Sequence, residues 1–277
     1  MKNLVSTEWL HNNIGKDNTI IFDCRFDLMD AGYGLKSYKD GHIKNAILIN
    51  LDYDLAGEKQ QHGGRHPLPE MEKFRDLLEN SGVNNKSNIV IYDDGDLAGA
   101  SRLWWMMKYI GIDKVYILSG GIKLWKNRGY DVTTEETCVK SKGKINLNIQ
   151  KYMEVSMEHV RNNLKNSESL IIDSRSKERY LGLIEPVDSK SGHIPGAKSF
   201  DWQENFKDGL ILDVKELKKR FNDIKEYKEI IVHCGSGITG CVNILALDEV
   251  GIDSKLYVGS WSDWSSYEEN PMNTTEE

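Results

Sequence analysis

The stretch Glu229-Ile-Ile-Val-His-Cys-Gly-Ser-Gly-Ile-Thr-Gly240 contains the repeating unit of the fold. Ile230, Ile231 and Val232 form a short β-branched apolar run, which reads as a buried strand. Glycines at 235, 237 and 240 then break the pattern, and a helical stretch follows over 241–250. Glycine lets the backbone curl with its N–H groups turned inward. With the positive end of the following helix, such a loop favours negative charge.

Reading outward, this unit recurs across the chain. Asn88-Ile-Val-Ile-Tyr92 is a second strand of the same kind, again followed by a glycine-containing loop and a helical pattern. Thr19-Ile-Ile-Phe-Asp-Cys-Arg25 and Ser169-Leu-Ile-Ile-Asp-Ser-Arg175 align at an offset of 150 residues. Gly41-His-Ile-Lys-Asn-Ala46 and Gly192-His-Ile-Pro-Gly-Ala197 align at 151. Gly-Ile-Asp at 111–113 and 251–253 extends the series, and so do the turns Gly120-Gly121 and Gly259-Ser260, which lead to Trp125 and Trp264.

A period near 150 is too long for a solenoid and describes a duplicated domain. Short buried strands alternating with helices, such as 71–80 and 214–222, predict an α/β fold. Each half should be a mostly parallel central sheet flanked by helices. The polar residues 133–150 read as an exposed linker. The expected organisation is a first domain over 1–138, a linker over 139–151 and a second domain over 152–277.

The 277 residues include 36 Lys+Arg against 43 Asp+Glu, a net charge of −7, and 39% are hydrophobic. That supports a packed core and argues against a general nucleic-acid binder, which needs a basic face. Residues 1–10 contain Glu8 and no sustained apolar region, so no secretory signal is expected. No apolar run approaches the ~20 residues of a membrane span. The four cysteines (24, 138, 234 and 241) include no C-x-x-C pair and form no disulfide framework. A cytoplasmic protein with no membrane partner is the expectation.

Cys234 stands at the rim of the glycine loop. An ordinary thiol titrates near ~8.5, and inward N–H groups lower that value and expose a nucleophilic thiolate. The plainer alternative is a buried structural cysteine, but the strand–Cys–glycine loop–helix context favours the nucleophile. Cys24, Cys138 and Cys241 lack that setting and read as packing or surface residues. Gly235-Ser-Gly-Ile-Thr-Gly240 also matches G-x-G-x-x-G. However, no acidic residue ends the next strand, Lys255-Leu-Tyr-Val258, so a dinucleotide site is not expected. A cysteine phosphatase loop would place an arginine six positions after the cysteine, where this chain has Gly240. His62 and His66 have metal-like spacing but no nearby third ligand, so no metal or cofactor is expected.

The paired Asp-x-Arg and Gly-His-Ile motifs, the Cys-Gly-Ser-Gly-Ile-Thr loop and the closing Gly-Ser-Trp-Ser-Asp-Trp264 together resemble a tandem-domain rhodanese-type sulfurtransferase over nearly the whole chain. The resemblance implies that the second domain is catalytic and faces the first, an inactive copy. Asp93 occupies the cysteine position of that first copy and cannot carry sulfur. Cys234 would take sulfane sulfur from a small anionic donor as a persulfide and pass it to cyanide, a thiol or thioredoxin. Gly235, Ser236, Gly237, Ile238, Thr239 and Gly240 would form the active-site loop.

An uncharged loop resembles the 3-mercaptopyruvate branch. There Ser236 acts with Asp52 and His66 on the donor, and Arg179 binds its carboxylate. Asp52 alone reads as a turn or helix cap, His66 as a loop histidine and Arg179 as a surface residue. Arg175 reads as the structural partner of Asp173. One departure favours the thiosulfate branch, the runner-up. The mercaptopyruvate branch carries a second arginine nine residues after the first, and this chain has Asp188 there, with Lys190 as a substitute charge. A non-catalytic sulfur-relay or binding module is the remaining expectation from another class.

Overall fold

The computed structural model describes residues 1–16 and 18–275. They form two compact units. The first comprises Met1–Gly57, Leu68–Gln150 and Asp208–Ile211, and the second Glu58–Pro67, Lys151–Lys207 and Leu212–Glu277.

The first unit begins with β1 (Leu4–Val5), α1 (Thr7–His11), β2 (Thr19–Asp23), α2 (Tyr33–Asp40), β3 (Ala46–Leu48) and α3 (Leu51–Asp54). It continues through α4 (Met71–Asn80), β4 (Asn88–Tyr92), α5 (Ala98–Tyr109), β5 (Val115–Leu118) and α6 (Gly121–Asn127). Its five strands lie in the order β1-β5-β4-β2-β3, every pair parallel.

The next strands and helices are β6 (Glu154–Val155), α7 (Met157–Asn163), β7 (Ser169–Asp173), α8 (Lys177–Tyr180) and β8 (Lys198–Ser199). The short strands β9 (Phe206–Lys207) and β10 (Leu210–Ile211) precede α9 (Val214–Arg220). After it come β11 (Glu229–His233), α10 (Gly240–Glu249), β12 (Lys255–Tyr257) and α11 (Ser260–Trp264). The second unit's sheet, β6-β12-β11-β7-β8, is also all parallel and repeats the first strand for strand.

The central strands are buried because helices cover both faces, which explains their unbroken Ile/Val runs. Ile89, Val90, Ile91, Ile231 and Val232 are fully buried. Helices α5 and α10 are buried along almost their whole length. α4, by contrast, buries only Phe74 and Leu78 and leaves its charged face outward.

The repeated motifs act as struts. Arg25 donates from Nε and Nη2 to the Asp23 carboxylate and from Nη2 to the Gly41 carbonyl at 2.9 Å. Arg175 does the same with Asp173 and with the Gly192 carbonyl at 2.6 Å. His42 stacks on Tyr38 at 3.6 Å, and His193 on Tyr180 at 3.8 Å. Each histidine also bonds its tyrosine's own carbonyl through Nδ1.

Residues 143–150 run along the first unit by main-chain bonds. The N–H groups of Gly143, Asn148 and Gln150 donate to the carbonyls of Glu79, Ile110 and Tyr109, and Ile145 is buried. No helix among the described residues is long and apolar enough to cross a membrane.

Burial opposes ionisation of Asp173, but the Arg175 guanidinium and His233 outweigh it and hold the carboxyl at about 2. A depressed carboxylate pKa stabilises the fold above its unfolded value and loses that contribution as pH falls through the folded one. The bridge is therefore expected to contribute about 2 kcal/mol above about pH 4 and to lose it between about pH 4 and 2. Urea unfolding followed at pH 5 and pH 3 should show this loss for the wild type and much less of it for Asp173→Asn. Equal pH dependence in the two proteins would contradict it.

Candidate active site

Parallel α/β sheets present their ligand sites beyond the carboxyl ends of the strands, and β11 ends at His233 directly before Cys234. Cys234 is buried, and the Gly237 N–H points at its Sγ at 3.2 Å. Gly237 has φ +77°, which only glycine adopts without strain, and this turn directs the amide inward. Burial works against ionisation of the thiol. The Thr239 hydroxyl and the main-chain N–H groups of Ser236, Gly240 and Gly237 more than offset it, so the thiol lies below its ordinary range. Ile238 is buried and anchors the outer edge of the loop in the core.

The loop is held from behind by α11. The N–H groups of Trp261 and Ser262 donate to the carbonyls of Cys234 and Gly235, both at 2.9 Å. The Ser260 hydroxyl, on a residue with φ +55°, accepts from the Cys234 N–H at 3.2 Å. His233 sits beneath. Its burial pushes the imidazole pKa down, partly opposed by the Asp173 carboxylate.

The segment Glu58–Pro67 belongs to the same unit and is pinned to α11 and the residues after it. The Gly63 N–H donates to Asp263 at 2.7 Å, and the Arg65 N–H donates to the Ser262 hydroxyl at 3.1 Å. His62 bonds the Ser266 hydroxyl at 2.7 Å and stacks on Tyr267 at 4.0 Å. This anchoring brings His66 Nδ1 to 2.8 Å from the Ser236 hydroxyl. With the proton on Nδ1, Ser236 accepts from the ring and keeps its own O–H to donate to a ligand.

The structure thus brings Cys234, Ser236, Thr239 and His66 together with Arg179. A Cβ built on Gly235 would lie 3.6 Å from both Nη atoms of Arg179 and 3.1 Å from Arg65 Nη2. Arg179 is oriented by Glu185, whose Oε1 accepts from Nη2 at 2.6 Å and whose Oε2 accepts from Nε at 3.2 Å. Burial opposes ionisation of Glu185, but these bonds and the Asp188 and Val187 N–H groups keep its pKa lowered. Lys190 does not take the place of a second arginine, because its Nζ donates to the Tyr267 carbonyl at 3.3 Å. Arg65 was missed in the sequence. Its one visible signal was its position beside His66 in Gly63-Gly-Arg-His-Pro67.

Asp52 lies in the first unit, exposed on the first turn of α3, with its N–H on the Asn50 side chain at 3.0 Å. In the same unit Asp93 fills the loop that follows β4. Its carboxyl accepts from the N–H groups of Gly95 at 2.8 Å, Ala100 at 3.1 Å and Leu97 at 3.3 Å. Burial and the Asp96 carboxylate push the Asp93 pKa up to about 8 against those donors.

The family model for the Rhodanese-like domain matches residues 6–128 and again 156–267. A protein from Pseudomonas aeruginosa described as a probable 3-mercaptopyruvate sulfurtransferase is 32% identical, over 98% of each chain. The putative thiosulfate sulfurtransferase SseB of Mycobacterium tuberculosis is 31% identical, over 92% of this chain and 91% of its own. Among solved structures, the 3-mercaptopyruvate sulfotransferase SseA of Escherichia coli superposes with a TM-score of 0.84 at 30% identity, covering 95% of this chain and all of that one. With two domain matches over most of its length and full-length relatives at this identity, the chain belongs to the rhodanese family of sulfurtransferases.

Proposed function

We propose that the protein transfers the thiol sulfur of 3-mercaptopyruvate, as the sulfane sulfur of a persulfide on Cys234, to a thiol, thioredoxin or cyanide acceptor. The observation that carries this reading is the hydrogen bond between His66 and Ser236, two residues beyond the nucleophile. The Cys234 thiolate attacks the donor sulfur, and the new S–S bond forms as the donor C–S bond breaks. The electron pair of that bond leaves on pyruvate as its enolate, which then takes up a proton. Ser236, supported by His66, donates to the oxygen on which the enolate charge develops. Arg179 holds the donor's carboxylate.

The N–H groups of Ser236, Gly237 and Gly240 stabilise first the thiolate and then the persulfide. An acceptor nucleophile removes the outer sulfur and restores the thiolate, so ping-pong kinetics follow. Asp52 is assigned as the third member of the Ser236–His66 pair on the resemblance alone. The described cysteines are free thiols, in accord with a reducing compartment such as the cytoplasm.

Thiosulfate is the second reading, favoured by Asp188 at the position where the mercaptopyruvate branch carries an arginine. The two separate in a comparison of kcat/KM for both donors with one acceptor. Mercaptopyruvate is expected to be preferred by about tenfold or more, and a preference for thiosulfate would reject the first reading. After incubation with donor alone, Cys234 should gain one sulfur, about 32 Da, and Cys234→Ser should gain none. Persistent turnover by Cys234→Ser would refute the assigned nucleophile. Ser236→Ala is expected to lower kcat with mercaptopyruvate by about 10²-fold and to spare thiosulfate, which forms no enolate. Equal losses with both donors would remove the role given to Ser236.

A further inference from the structure

We propose that Arg65 is a second donor-binding guanidinium, whose Nε/Nη2 edge takes the carboxylate of the sulfur donor beside Gly235, with Asp188 as the residue that aims it. The inference rests on the donor class assigned above and adds a residue that determines specificity for it.

Arg65 uses its two edges differently. Nη1 donates to the Asp188 carboxylate, and the other Asp188 oxygen lies 3.4 Å from Arg179 Nη2. One carboxylate therefore spans two guanidiniums and fixes their separation. On the opposite edge Nε is buried without a hydrogen-bond partner among the described residues, and Nη2 lies 3.1 Å from where a Gly235 Cβ would stand. The Arg65 side chain is only 16% exposed, so water does not readily replace a missing partner there.

The chain shows elsewhere what this edge binds. Arg25 and Arg175 each grip a carboxylate through Nε and Nη2 together. On Arg65 the same fork is directed at the reactive loop and is not paired with a carboxylate of the second unit.

Geometry supports a ligand here rather than a strut. The backbone carrying Arg65 is fixed by Ser262 and Asp263, so the guanidinium is placed before any donor arrives. A Cβ on Gly235 would already touch both guanidiniums, so the glycine lets Arg65 and Arg179 stand together over the loop at the residue after Cys234, where they present two positive charges to an anionic donor. The acid at 188 therefore does not deprive the site of a second positive charge. The charge comes from the segment before His66, with Asp188 as its support.

The test uses Arg65→Lys, which keeps the charge and an ion-pair partner for Asp188 but loses the planar fork. KM for mercaptopyruvate should rise about tenfold or more, with kcat and the acceptor KM within about twofold and Tm unchanged. Asp188→Asn should raise the same KM less than Arg65→Lys does. A second readout needs no turnover. Pyruvate should protect wild-type Cys234 from iodoacetamide, and Arg65→Lys should lose that protection. A KM for Arg65→Lys within about twofold of wild type, or equal pyruvate protection in both proteins, would overturn the assignment. If the wild type uses thiosulfate instead, the donor reading fails separately. Arg65 is then judged by the thiosulfate KM and by protection with sulfite, where the same rise and loss are expected. No protection of the wild type by either anion would reject the inference outright.

Discussion

The site depends on two main-chain hydrogen bonds, from Trp261 and Ser262 to the carbonyls of Cys234 and Gly235. A peptide plane whose carbonyl is held on one side must present the next N–H to the other. Fixing the Gly235 carbonyl against α11 therefore helps turn the following amide, that of Ser236, toward the sulfur. Each such bond contributes only about 1 kcal/mol net, but burial would otherwise keep Cys234 protonated. Several preorganised donors and the Thr239 hydroxyl reverse the balance. The same helix binds the segment that carries Arg65 and His66, so the loop and the residues above it share one support.

The first unit shows the alternative use of this architecture. Its strand, glycine turn and helix are laid out as in the second, but Asp93 supplies its own carboxyl to the inward N–H groups. The nest of this unit is filled by the chain's own carboxyl, which accepts three main-chain amides.

The duplication, the parallel α/β layout, Cys234 and its loop were legible because they rest on local pattern. β-branched runs mark buried strands, and glycines mark turns. The Gly-His repeats were visible as markers, but their purpose, the stacking of His42 on Tyr38 and of His193 on Tyr180, was not, because no spacing rule gives the fold of a loop histidine back onto the end of the helix before it. Residues 133–150 read as an exposed linker, and only Ile145 among them is buried, but the main-chain bonds from 143–150 to Glu79, Ile110 and Tyr109 leave no mark on side-chain composition. The grouping of Glu58–Pro67 with the second unit was hidden because its anchors, Asp188, Ser262, Asp263, Ser266 and Tyr267, lie more than 120 residues further along the chain. Arg65 and Asp188 are 123 residues apart, and no spacing rule pairs them.

The central claim is that the loop lowers the pKa of the Cys234 thiol in spite of its burial. The most direct measurement is the difference in thiolate absorbance at about 240 nm between the wild type and Cys234→Ser, titrated across pH. The account predicts a Cys234 transition below the ordinary thiol value of about 8.5. A transition at or above that value would mean that burial prevails over the amide donors, and the account of the site would be wrong.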